Sequence, residues 1–171
     1  EGNLKEAVFW IEKSDTEQIK ALAGKLMEDV KEYSLGQNVN MQKAEESLNV
    51  IIELKDSLDD MELVCTTALF AAMGYSNSKN VKMTLKWMDF VIGRTLVPYM
   101  EQNLLLTNYN RVLHEPETYP DYVDQALEFM KKCAEDGNGD ALRIVGQYYR
   151  FHGNDVKTCL YWLNKSAEEA G

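Results

Sequence analysis

Five segments of the chain set a small residue in the same apolar frame: NLKEAVFW, NMQKAEES, NVKMTLKW, YVDQALEF and DVKTCLYW, with the small residue at Ala7, Ala44, Thr84, Ala126 and Cys159. These anchors lie 37, 40, 42 and 33 residues apart. A period of this size constrains the fold more than composition does, because each copy must bury its apolar face against its neighbours rather than in a core of its own. Three positions before the anchor stand Leu4, Met41, Val81, Val123 and Val156, and four positions after it Ile11, Leu48, Met88, Met130 and Leu163, all apolar. Three positions after it stand Trp10, Ser47, Trp87, Phe129 and Trp162, so the three tryptophans of the chain share one register. Together with the position seven after the anchor, these offsets lie on one face of a helix of 3.6 residues per turn, and each copy is expected to be an amphipathic helix that buries that stripe. A small anchor lets a neighbouring helix approach, and the large ring one turn later fills the space beside it.

The ends of these helices are marked as well. Asn3, Asn40, Asn80 and Asp155 stand four residues before their anchors, where a side-chain oxygen can accept from the free N–H groups of the first turn. In the fourth copy Asp121, just after Pro120, takes that part. Gly137 and Gly171 fit the left-handed stop after a helix. A second set of helical patterns lies between, over residues 16–33, 59–75, 98–114 and 138–151, the third opening on Pro98 at a first helical position. No segment alternates with period two. The expectation is an all-α chain forming a single helical-repeat domain over 1–171: a lone helix at 3–15, then helix pairs at 16–57, 59–97, 98–136 and 138–170.

The last unit, DALRIVGQYYRFHGNDVKTCLYWLNKSAEEAG, resembles the Sel-one-like repeat, a relative of the tetratricopeptide repeat. The matching positions are Ala141, Val145, Gly146, Tyr149, Gly153, Lys157, Cys159, Trp162, Lys165, Ala167 and Gly171. Earlier units match in part, through Lys5, Ala7, Trp10 and Lys13, then Gly24, Gly36, Lys43 and Ala44, then Lys82 and Trp87, then Ala126, Phe129 and Gly137. The resemblance implies a right-handed α-solenoid of antiparallel helix pairs serving as an adaptor or scaffold, with a protein or peptide partner on its concave surface. In the family the first helix of each pair tends to line that surface. Since Ala141, Val145, Gly146 and Tyr149 match packed positions, the opposite face of the helix carries Arg143, Gln147 and Arg150. The same register places Lys25 and Glu28 on the free face in one earlier pair, and Ala72 and Tyr75 in another.

Composition narrows the function classes. With 28 acidic and 18 basic residues the chain carries a net charge of −10, which repels a polyphosphate backbone and argues against nucleic-acid binding. Residues 1–60 hold 14 acidic and 7 basic groups, whereas residues 79–111 hold Lys79, Lys82, Lys86, Arg94 and Arg111 against Asp89 and Glu101. The alternative to an adaptor is therefore an acidic inhibitor or nucleic-acid mimic that binds a basic protein through the carboxylates of the first 60 residues. Apolar runs such as LFAAM are too short to insert in a membrane.

The residues that could carry chemistry have plainer uses. Three cysteines are the wrong number for a disulfide framework and point to a reducing compartment. Cys159 is a repeat anchor, Cys133 sits seven residues after one, and Cys65 lies in the apolar MELVCTTALFAAMGY, so all three read as packing residues. His114 and His152 read as turn residues rather than as metal ligands, and no phosphate loop or nucleophile elbow appears. No catalysis, metal or cofactor is expected. The end helices, AVFWI and CLYWL, do not resemble polar caps. The array is expected to continue in a longer chain, or its ends to associate with another copy.

Overall fold

The computed structural model of the chain describes residues 16–153 and 155–169. The expected helix at 3–15, with Ala7 and Trp10, and the expected stop at Gly171 lie outside them. All regular structure among the described residues is helical: α1 (Thr16–Leu35), α2 (Met41–Glu53), α3 (Lys55–Leu58), α4 (Met61–Asn77), α5 (Val81–Val91), α6 (Pro98–His114), a 3₁₀ turn (Pro120–Tyr122), α7 (Val123–Glu135), α8 (Gly139–Phe151) and α9 (Val156–Glu169). They group into two compact units, Glu1–Leu104 and Leu105–Gly171, and the boundary falls within α6.

Local chemistry sets the helix starts. Asn40 accepts the Lys43 N–H at 3.1 Å, Asn80 that of Met83 at 3.2 Å, and Asp155 those of Lys157 at 3.0 Å and Thr158 at 3.2 Å. Asp60 and Asn138 do the same for α4 and α8, accepting from Leu63 at 3.0 Å and Ala141 at 2.9 Å. Pro98 opens α6, where its missing N–H removes no helical bond. Gly137 has φ +89°, the left-handed geometry expected of it. Asp121 is the exception. It lies inside the 3₁₀ turn, and α7 begins after Tyr122 with no side-chain cap, because Pro120 starts the turn before Asp121 can reach the α-helix.

In the first unit α4 is the central element, packed against α1, α2 and α5 and touching α3. Its sequence is apolar almost all round, and so it buries Val64, Cys65, Ala68, Leu69, Ala71, Ala72 and Tyr75 rather than a single stripe. The amphipathic α2 and α5 turn Ala44, Leu48 and Ile51, and Val81, Thr84, Trp87, Met88 and Val91, into the same core. The Thr84 hydroxyl donates to the Asn80 carbonyl at 2.9 Å, so this polar anchor is buried with its bond made. At Gly74 a Cβ would stand 2.8 Å from Ser34 Cβ and 2.9 Å from the Ser34 carbonyl oxygen, so glycine is what allows the close approach of α4 to α1.

In the second unit α7 packs on α8 and α8 on α9. Ala126, Met130 and Cys133 are buried on α7, with the Phe129 ring 5.2 Å from that of Tyr109. Trp162 is buried on α9, and Cys159 is half-buried with its sulfur 3.9 Å from the Gly146 carbonyl. A Cβ at Gly146 would meet Leu163 Cδ2 at 2.8 Å. The frame is less fully covered in α9 than elsewhere, with Val156 exposed, and Leu160 and Tyr161 outside the frame are exposed too.

Candidate functional site

The free face of α8 follows from its pattern. Ala141, Leu142, Ile144, Val145 and Gly146 are buried, which leaves Arg143 and Arg150 exposed and Gln147 half-buried on the other side. The Arg143 guanidinium donates to Gln147 Oε1 at 3.3 Å and lies 3.6 Å from the Asp140 carboxylate. These contacts are exposed and hold little energy; their effect is to set the side chains in a row. Arg150 rests 5.3 Å from the centroid of the Phe151 ring. The structure thus brings Arg143 and Gln147 together and keeps Arg150 at the end of the same helix.

Beside this row lies a cleft of about 440 Å³ lined by Leu113, His114, Ile144, Gln147, Tyr148, Phe151 and His152. It falls in the usual size range of ligand pockets, and its walls are apolar and aromatic with a few polar atoms converging on it. Both histidines are here, where the sequence suggested two unrelated turn residues. His114 is the last residue of α6 and His152 the cap of α8, so each stands at a helix C-terminus. That shared place was the signal available in the sequence. His114 Nδ1 is 2.9 Å from the Asn110 carbonyl. A carbonyl can only accept, so in this contact Nδ1 is the donor. The His152 ring stacks 5.5 Å from that of Tyr148. Burial pushes the Tyr148 phenol up, reinforced by Tyr149, Asp124 and Glu117 and opposed by Lys131, so it remains a neutral donor.

The register carried back to the first unit gives two outcomes. Lys25 and Glu28 are exposed on α1, with Glu28 3.8 Å from Lys31. Ala72 and Tyr75 are not on a free face: Ala72 is 0% and Tyr75 7% exposed. The expectation fails here because α4 has neighbours on more than one side and keeps no free stripe. The Tyr75 hydroxyl donates to Glu45 Oε2 at 2.7 Å, and Lys86 reaches Glu45 Oε1 at 3.3 Å, so the residue ties α4 to α2 and α5. Burial, then the bond to Glu45 and its charge, push the Tyr75 phenol far up.

Among the described residues no three His, Cys, Asp or Glu side chains form a metal group, and no helix is long and apolar enough to cross a membrane. Cys65 is fully buried, and burial above all pushes its thiol up, away from the nucleophilic thiolate; Glu101 adds to the shift and Arg94 opposes it. No family model, curated protein or solved structure matches the chain.

Proposed function

We propose that the chain is a non-catalytic adaptor, a right-handed α-solenoid of the Sel-one and tetratricopeptide type, and that a protein or peptide segment binds along α8. The observation that carries this reading is the double position of Gln147, which stands in the exposed row with Arg143 and Arg150 and also lines the adjoining cleft. A segment lying along the row can bury an apolar side chain between Leu113, Ile144 and Phe151 while its polar groups meet the two guanidinium groups and the Gln147 amide. Direct packing of α1 on α2, α4 on α5 and α8 on α9 supports the paired-helix arrangement this reading needs.

Selection of a random displayed-peptide library on the immobilised chain tests it. Enriched peptides are expected to bind the wild-type chain and to lose at least tenfold in affinity for Arg143→Glu/Arg150→Glu at unchanged helical circular dichroism. Peptides that bind both forms equally, or a library that never enriches, would defeat the proposal.

A further inference from the structure

Three turn glycines differ in what holds their N–H groups. Between Ile92 and Met100 the chain exposes Leu96 at 76% and Tyr99 at 75%, yet the segment is fixed from beneath. Glu101, itself 6% exposed, accepts the Gly93 N–H at 3.1 Å and the Thr95 hydroxyl, while the Val97 N–H donates to Thr95 Oγ1 at 3.3 Å. In the turn between α7 and α8 the Gly137 N–H donates to the Ala134 carbonyl at 3.2 Å. Gly139 is the first residue of α8, and its N–H has no acceptor among the described residues. It is one of the free N–H groups of a helix start, where the backbone dipole favours developing negative charge.

The residue before it is Asn138, and Asn138–Gly139 is the one Asn-Gly pair of the chain. Asn138 caps α8: its Oδ1 accepts the Ala141 N–H at 2.9 Å, so the side-chain amide is drawn over the first turn with its oxygen already facing a donor. Gly139 is exposed and Asn138 half-buried, which leaves the pair open to water. A free backbone nitrogen, an amide carbon polarised by a donor and access for water therefore meet on adjacent residues. Asn77–Ser78 lacks the first of these, because the Ser78 N–H donates to the Gly74 carbonyl at 3.1 Å.

We propose that Asn138 is a site of spontaneous modification in the folded chain, converted there to aspartate and isoaspartate. Hydroxide from solvent takes the Gly139 amide proton, and the nitrogen adds to Asn138 Cγ, leaving the oxyanion on Oδ1 against the Ala141 N–H. The Cγ–Nδ2 bond breaks, Nδ2 takes a proton from water and leaves as ammonia, and a cyclic imide remains. Water opens the imide at Cγ to give aspartate, or at the main-chain carbonyl to give isoaspartate. Aspartate keeps the cap and adds a charge suited to a helix start, whereas isoaspartate lengthens the main chain by a methylene and displaces the cap.

Incubation of the full chain in mildly alkaline buffer, followed by peptide mapping by mass, tests this. The Asn138 peptide is expected to gain the amide-to-acid mass difference at least tenfold faster than the Asn77 peptide, and to become a substrate for isoaspartyl methyltransferase. Its rate in the folded chain should lie within tenfold of its rate in urea. Beyond its chain neighbours a Cβ at Gly139 would meet nothing within 4 Å, so Gly139→Ala should keep its helical circular dichroism and place a methyl only beside the reacting nitrogen. That variant should convert at least tenfold more slowly. An amide that converts in urea and persists in the folded chain would show that the cap protects it and would overturn the proposal. Equal rates for wild type and Gly139→Ala, or faster conversion at Asn77, would do the same.

Discussion

The register read from the sequence sets helices α4 and α8 in equivalent places, and the residues it matches meet opposite fates. Ala72 and Tyr75 on α4 correspond to Gln147 and Arg150 on α8; the first two are buried, whereas Gln147 borders a cleft and Arg150 is exposed. The difference lies in what surrounds each helix. Helix α4 has α1 and α2 on it as well as α5, and an apolar sequence to match, whereas α8 packs on α7 and α9 and keeps a polar side. A register therefore tells which residues are equivalent, and the number of neighbours decides which of them is free to bind.

The same side chain placed at both positions should separate them most. Ala72→Arg buries a charge without a partner and is expected to destabilise by about 4 kcal/mol or more, enough to abolish folding, while Gln147→Arg stays within about 0.5 kcal/mol. Denaturant midpoints measure both, and similar values would erase the distinction. Next come two of the close-packed glycines, one in each unit. Gly74→Ala meets the backbone of Ser34 and should cost about 2 kcal/mol, whereas Gly146→Ala meets the movable end of Leu163 and should cost less than about 1 kcal/mol.

Tyr75→Phe removes the bond to Glu45 and should cost about 1 kcal/mol near neutral pH. Here the sign of the pH dependence is definite. The folded phenol holds its proton more tightly than the unfolded one, so wild-type stability is full below the ordinary value of 10.0 and declines as pH rises beyond it. The variant lacks that decline, and equilibrium unfolding between pH 8 and 11 would register the contrast. The smallest effect is one of rate: a thiol reagent should modify the half-buried Cys159 well before Cys65, which should react only as the first unit opens.

Helix boundaries were legible because their causes are local. Asn40, Asn80, Asp155 and Pro98 act within one turn of themselves, and a reader of the sequence needs nothing else to place them. The short helix α3 carries no mark in the sequence, because Leu54 and Leu58 are buried by tertiary packing and no side chain caps its start. Asp121 has the chemistry of a cap but not its place, because proline geometry one residue earlier takes precedence. On α8, the exposure of Arg143 and Arg150 was legible from the amphipathic pattern, while on α4 the pattern is apolar all round and carries no phase to read. The cleft needed His114 and His152, far apart in the chain, to be brought to one place, and the role of Glu101 needed a loop to close over it.

Glu101 also changes what kind of feature the segment from Ile92 to Met100 is. Its outline is written by a residue beneath it, so in immunological terms it is a conformational epitope rather than a linear one. An antibody raised against the folded chain at Leu96 and Tyr99 should ignore a free peptide of the same sequence. It should also lose its target on Glu101→Ala, although neither residue it touches has changed.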